Sequence, residues 1–97
     1  MKAVLFSPLA ENDLVEITLF IARNNPARAL TFVAELEARY DALSEFPGVG
    51  APRPELADGL RVVRHKNYLI FYREREDHIR IERVLQGTRD FGSLIGD

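Results

Sequence analysis

One short apolar run, Tyr68-Leu69-Ile70-Phe71-Tyr72, constrains the fold of this chain more than any other part of its sequence. The run is too short for an isolated helix and is rich in aromatic and β-branched side chains, so it predicts a β-strand. It shows no alternation of polar and apolar residues, which indicates a strand that is covered on both faces. The rest of the chain is therefore expected to cover this strand or to extend its sheet.

Two weaker strand patterns flank this run, Leu60–His65 before it and His78–Leu85 after it. Their connections to it are short and polar, which predicts hairpins and hence a three-stranded antiparallel meander. Strand parity places Arg83 on the same face as Ile81. We expect Arg83 either to mark a β-bulge or to pair with a carboxylate, because an unpaired buried charge is very costly. The neighbouring carboxylates that could pair with it are Glu82, Asp90 and Glu55.

The first half of the chain predicts one strand followed by two helices. Ala3–Phe6 is a brief apolar run that fits a strand at one side of the meander. Ser7-Pro8 and Asn25-Pro26 each place a capping side chain before a proline at the first helical position, which predicts helices from Pro8 to about Arg23 and from Pro26 to about Glu45. A short connection must fold these helices into a hairpin whose apolar faces cover the sheet. The surplus apolar side chains, which a partner could bind, are Leu19, Phe20 and Phe32.

Residues 46–59 contain three prolines and three glycines, which forbids a regular helix or a central strand there. The length of this segment indicates an ordered crossing from the second helix to the sheet. After the meander, Gly87 permits a turn and Thr88 is placed to cap a short C-terminal helix. The sequence thus predicts a single α+β domain over residues 1–97: an N-terminal strand, a two-helix hairpin, a three-stranded antiparallel meander and a short C-terminal helix.

Composition and charge narrow the class of function. The 97 residues are 46% hydrophobic and 29% charged, which is ordinary for a globular protein. The net charge of -2 argues against a general nucleic-acid binder, and we expect no sequence-specific nucleic-acid contact. No apolar run approaches the length of a membrane span, and the N-terminal run is too short for a signal peptide, so we expect a cytoplasmic protein with no membrane partner. The chain has no cysteine and two separated histidines, so neither a metal site nor a cofactor is expected.

Arginines are concentrated in the second half of the chain. Residues 53–97 hold nine basic side chains, of which eight are arginines, the residue suited to bidentate contacts with carboxylate or phosphate. One interpretation is the solvated face of an amphipathic sheet. The other is an arginine-bearing surface that meets an anionic partner.

The order and spacing of these motifs resemble the RelE/ParE toxin superfamily of type II toxin–antitoxin systems, and the ParE branch most closely. The matching segments are Phe6-Ser7-Pro8 with Ala10, Asp13-Leu14, Phe46-Pro47-Gly48-Val49-Gly50, Pro52-Arg53-Pro54-Glu55-Leu56, Leu60-Arg61, Tyr68–Arg73 and Ile81–Asp90. The resemblance implies a small cytoplasmic bacterial toxin, encoded beside an antitoxin whose C-terminal segment wraps and neutralises it. Toxins of the ParE branch inhibit DNA gyrase, whereas those of the RelE branch cleave messenger RNA in the ribosomal A site.

The residues near the end of the last strand favour the ParE branch. Metal-free RNA cleavage needs a general base, a general acid and cations that hold the phosphate. Where RelE-like relatives often carry a histidine and a downstream tyrosine, this chain has Gln86 and Phe91. His65 and Glu82 can titrate, but no spacing pairs them. We therefore expect no catalytic residue and an inhibitor that acts by binding. One alternative is a ribosome-dependent mRNA endoribonuclease, and another is an interaction module with an apolar groove for a helix.

Two sets of residues are candidates for contact with partners. The candidates for target binding and toxicity, with gyrase as the expected target, are Arg61, Arg64, Arg83 and Arg89. The candidates for contact with a ParD-like antitoxin are Leu14, Ile17, Phe20, Ile21, Arg53 and Arg73. We expect the antitoxin to lay a helix in a groove or to add a strand.

Overall fold

The computed structural model describes residues 2–87, in which two helices pack on one face of a five-stranded sheet. The elements are β1 (Ala3–Phe6), α1 (Pro8–Asn24), α2 (Pro26–Glu45), a 3₁₀ turn (Pro47–Val49), β2 (Ala51–Pro52), β3 (Leu60–His65), β4 (Tyr68–Glu74) and β5 (His78–Gln86). The strands lie in the order β1-β5-β4-β3-β2, with β1 parallel to β5 and the other neighbours antiparallel. The predicted order of elements is confirmed, while the predicted C-terminal helix lies outside the described residues.

Both helices begin as the sequence predicts. Ser7 Oγ accepts the N–H of Ala10 at 3.0 Å, and Asn25 Oδ1 accepts the N–H of Arg28 at 3.0 Å. Asn25 also ends α1, because its own N–H donates to the carbonyl oxygen of Ile21 at 2.9 Å. The hairpin therefore turns on one residue that caps both helices. Within residues 2–87, neither helix is long and apolar enough to cross a membrane.

β4 is buried over its apolar run and separates two clusters of side chains. Tyr68, Ile70 and Tyr72 face the helices, whereas Leu69 and Phe71 belong to a second cluster on the other face of the sheet. The helix-facing cluster also contains Phe32, Leu36, Tyr40, Leu43, Ile79, Ile81 and Val84. The prediction of a strand that is covered on both faces is confirmed.

Tyr72 holds the Pro/Gly crossing against the sheet. Its hydroxyl donates to the carbonyl oxygen of Pro47 at 2.7 Å and accepts the N–H of Gly50 at 2.9 Å. A Cβ on Gly50 would lie 2.5 Å from the same hydroxyl oxygen, so the approach needs glycine. The crossing then adds β2 as a short edge strand beside β3, which extends the predicted meander.

A β-bulge in β5 explains the position of Arg83. Tyr72 pairs with Ile81, whereas the preceding Phe71 pairs with Arg83, so Glu82 is the extra residue. Strand parity changes at this point, and the expected alignment of Arg83 with Ile81 is wrong. The expectation that Arg83 marks a bulge is confirmed.

Candidate partner-binding site

Beyond the end of β1, Ser7 and α1 provide the hydrogen-bond partners for the backbone at the edge of β5. β1 pairs with β5 only as far as Ile81. Beyond the last pair, Ser7 N–H donates to the Ile81 carbonyl oxygen at 2.9 Å, and Ser7 Oγ donates to the Glu82 carbonyl oxygen at 2.7 Å. Asp13 Oδ2 accepts the N–H of Val84 at 3.1 Å. These bonds satisfy backbone groups at the bulge that β1 does not reach.

Asp13 also holds Arg83 in a two-point ion pair. Arg83 Nε lies 2.8 Å from Oδ2 and Nη2 lies 2.9 Å from Oδ1, with the Asp13 and Arg83 side chains 8% and 14% exposed. The hydrogen bonds to Asp13 raise the pKa of Arg83, so this guanidinium stays charged at ordinary pH. The prediction of a paired Arg83 is confirmed, but the sequence did not identify Asp13 as a partner.

A groove lies beside this ion pair, between α1 and the ends of β4 and β5. It has a volume of about 460 Å³ and is lined by Asp13, Glu16, Ile17, Leu19, Phe20, Arg23, Tyr68, Val84 and Gln86, which together define the helix–strand groove. The Phe20 side chain is 55% exposed at this groove. An exposed apolar wall with charged residues beside it suits the docking of a protein segment.

The apolar antitoxin candidates divide between the groove and the core. Ile17 and Phe20 line the helix–strand groove. Leu14 and Ile21 are partly buried against the helix-facing cluster, as is one side of Ile17. Phe32, which the sequence predicted as a surplus apolar side chain, is 2% exposed and packs in the core, so it is not a surplus residue.

The two arginine candidates for antitoxin contact lie away from this groove. Arg53 Nε donates to Glu55 Oε2 at 2.6 Å. Arg73 Nε lies 3.6 Å from Glu82 Oε2. Neither arginine lines the helix–strand groove, so the structure does not bring all six candidates into one site.

The target-binding candidates differ in how firmly they are held. Arg61 Nη1 donates to the carbonyl oxygen of Gly50 at 2.7 Å, so this side chain supports the crossing. Arg64 is exposed, and its Nη1 makes a long contact of 3.4 Å with the carbonyl oxygen of Lys66. Arg89 lies outside the described residues. Of the candidates at described positions, Arg64 is therefore the most accessible.

The titrating groups that the sequence singled out, His65 and Glu82, lie in separate clusters. His65 Nε2 is 2.8 Å from Glu35 Oε1, and Arg28 Nη1 donates to Glu35 Oε2 at 2.7 Å. The bond from Arg28 and then that from His65 lower the pKa of Glu35 to about 2. Glu82 accepts a hydrogen bond from Arg80 Nε at 3.1 Å. Over residues 2–87, no three potential ligands converge on a metal position.

Comparisons with known proteins agree on one family. The family model described as the ParE toxin of the type II toxin–antitoxin system parDE matches residues 4–91. Toxin ParE3 of Caulobacter vibrioides is 27% identical over 97 residues, which cover 99% of this chain and 97% of that protein. A solved structure of the chromosomal ParDE TA system from P. aeruginosa shares the fold, with a TM-score of 0.74 and 22% identity, over 89% of this chain and 96% of that one. The chain belongs to the ParE toxin family of type II toxin–antitoxin systems.

Proposed function

We propose that this toxin inhibits DNA gyrase in the cytoplasm by binding to it, and that a ParD-like antitoxin neutralises it by occupying the helix–strand groove. Membership of a parDE family implies a cognate antitoxin. The observation that carries the proposed mode of action is the ion pair between Asp13 and Arg83.

The state of Arg83 favours binding over RNA cleavage. A RelE-type nuclease needs cations at the end of the last strand that can reach a phosphate. Here Nε and Nη2 of Arg83 are both bonded to Asp13. Withdrawing Arg83 would leave the Asp13 carboxylate buried without this cation, at a cost of about 3–5 kcal/mol. Gln86 at the end of the same strand cannot act as a general base at neutral pH.

Arg64 is the candidate best placed to contact an anionic surface of the target. It has no ion pair with any other residue in the described part of the chain, and its side chain is exposed. A guanidinium in this state can accept a carboxylate in a bidentate contact. We therefore propose that gyrase meets the toxin at the surface around Arg64.

Phe20 is the proposed anchor for the antitoxin. Its ring is 55% exposed on the wall of the helix–strand groove, with Leu19 beside it on the same wall. Burying the exposed part of a large apolar side chain contributes up to about 1.5–3 kcal/mol, and such anchors dominate many interfaces. An antitoxin that also contacts Arg53 or Arg73 must continue beyond this groove around the toxin.

A DNA supercoiling assay with purified gyrase tests the proposed target. The toxin in several-fold excess should inhibit supercoiling, and mixing it first with its antitoxin should restore activity. Arg64→Glu should raise the toxin concentration for half inhibition by about tenfold. Arg75→Glu makes the same charge change at another exposed position and should leave that concentration unchanged.

Two results would contradict the proposal. Unchanged supercoiling in excess wild-type toxin would exclude gyrase inhibition. Codon-position-specific cuts in translated messenger RNA, lost in Arg83→Ala, would favour the endoribonuclease alternative. If Arg64→Glu and Arg75→Glu weaken the inhibition equally, gyrase remains the proposed target, but its contact lies elsewhere on the toxin.

A further inference from the structure

The helix–strand groove continues past Tyr68 into a second hollow. This hollow has a volume of about 520 Å³ and is lined by Ile21, Arg28, Phe32, Lys66, Asn67 and Tyr68. Tyr68 belongs to the walls of both hollows, and Ile21 follows Ile17 by one turn on α1. A segment that lies over Phe20 can therefore extend past Tyr68 into the second hollow.

The charges along this path change sign from one end to the other. At the first end, Glu16 forms no salt bridge within residues 2–87. Its charge helps to raise the pKa of Arg83, but the guanidinium of Arg83 is bonded to Asp13. Two helical turns further along α1, about 10 Å, the groove reaches Arg23. The second hollow adds further basic residues to that end.

The positive end keeps an excess of charge after its internal ion pair is counted. Arg28 is neutralised by Glu35, to which it is bonded at 2.7 Å. Arg23 and Lys66 form no ion pair within the described part of the chain. Among the described residues, the path thus presents a carboxylate without a salt bridge at one end and two cations without a salt bridge at the other.

We infer that the antitoxin segment in this path carries a cationic side chain at the end that reaches Glu16 and carboxylates at the end that reaches Arg23 and Lys66. The inference rests on the proposed occupation of the groove by the antitoxin. Complementary charges fix the direction of the segment and accelerate its association, and both effects weaken as salt screens them. The opposite direction would place like charges together at both ends, which costs affinity.

Charge variants at the two ends test the direction. Association rates and Kd are measured with the cognate antitoxin protein at low and high salt. Arg23→Glu combined with Lys66→Asn should lower the association rate by about tenfold at low salt. Asn suits the left-handed backbone at position 66, where φ is 56°. Glu16→Lys should also weaken binding, while the matched surface variant Arg75→Glu should not.

The outcomes separate this inference from the proposed function. If Glu16→Lys strengthens binding while the Arg23 and Lys66 changes weaken it, the segment is uniformly acidic and the inferred charge order is wrong. If the antitoxin binds but all charge variants stay within about threefold of wild type, the inference fails and the antitoxin partnership stands. If Phe20→Ala also leaves the affinity unchanged, the groove is not the antitoxin site and both proposals for it fail. Circular dichroism of each variant verifies that it is folded.

Discussion

Asp13 on α1 and Arg83 on β5 are separated by 70 positions in the chain and joined by two hydrogen bonds of 2.8 and 2.9 Å. The same carboxylate accepts the N–H of Val84, so one side chain bonds the helix both to the backbone and to a side chain of the last strand. This contact lies where β1 has ended and the β5 bulge begins. It therefore fixes the wall of the helix–strand groove and holds the Nε and Nη2 atoms of Arg83 against α1.

Replacing Asp13 with alanine should destabilise the fold by about 3 kcal/mol. The change leaves Arg83 without this carboxylate and the N–H of Val84 without its acceptor, and breaking a buried pair costs about 3–5 kcal/mol. Asp13→Asn should cost less, because the amide oxygen can still accept one of these bonds. Urea unfolding followed by circular dichroism measures both changes.

A double-mutant cycle separates the pair from the helix itself. The double variant Asp13→Ala/Arg83→Ala should be less destabilised than the sum of the two single changes. Each single change removes the contact that offsets the desolvation of the remaining charge, whereas the double change removes both charges. Asp41→Asn, an exposed change on α2, is the control and should stay within about 0.5 kcal/mol of wild type. Strict additivity at Asp13 and Arg83 would show that the pair contributes nothing as a unit.

Removing the hydroxyl of Tyr72 should loosen the crossing between α2 and β3. Tyr72→Phe leaves the N–H of Gly50 and the carbonyl oxygen of Pro47 without their partner, at an expected cost of about 1–3 kcal/mol. Gly50→Ala should be at least as harmful, since its Cβ would overlap the Tyr72 ring, which is fully buried. Gly48→Ala is the matched control, because no atom lies within 4 Å of a Cβ there. Equal melting temperatures for the two alanine variants would contradict this account.

The hydrogen bonds of Glu35 with Arg28 and His65 should make the free energy of unfolding depend on pH in the acidic range. The bonds from Arg28 and His65 lower the pKa of Glu35 to about 2 from an ordinary value of 4.5. A carboxyl whose pKa is lower in the folded state stabilises the fold above its unfolded pKa and loses that contribution as the pH falls towards its folded pKa. The stability difference between wild type and Glu35→Gln should thus be largest above about pH 5 and shrink towards pH 2.

Thermal unfolding across this pH range measures the effect of Glu35. Glu37→Gln, an exposed change on the same helix, is the control and should show a smaller pH-dependent difference from wild type. A constant difference between wild type and Glu35→Gln from pH 6 to pH 2 would exclude the proposed contribution of this ionised carboxylate.

Truncating the proposed anchor should weaken the antitoxin complex. Phe20→Ala should raise the Kd by more than about tenfold, which corresponds to about 1.4 kcal/mol. Leu30→Ala removes another exposed apolar side chain, 76% exposed on α2 and outside the groove, and should leave the Kd unchanged. If both variants bind within tenfold of wild type, the antitoxin docks elsewhere.

Local signals in the sequence were sufficient for the order of the elements. Ser7 and Asn25 cap helices because a short side chain meets the free N–H groups of the next turn, and this requires no knowledge of the rest of the fold. The continuous apolar run from Tyr68 to Tyr72 likewise reports burial on both faces. These features depend on residues that are close in sequence, which is why they could be predicted.

The contacts that build the site depend on residues far apart in sequence. In the sequence, Asp13 has the pattern of an ordinary carboxylate near the start of a helix. Its bond to the β5 backbone depends on the packing of α1 beside that strand, which the local sequence does not indicate. Phe32 reads as surplus on α2 but packs against the rings of His65 and Tyr68. The sequence indicated Ile17 and Phe20 for the groove but not its opposite wall, because the strand ends that form it come much later in the chain.

Direct measurement of binding between the purified toxin and gyrase tests the central claim, which is that this chain acts by docking. Titration calorimetry should give a saturable complex with a Kd of about 1 μM or tighter, or about −8 kcal/mol, and prior addition of antitoxin should abolish it. The absence of binding at toxin concentrations that arrest growth, together with cleavage of ribosome-bound message by the same preparation, would contradict the claim.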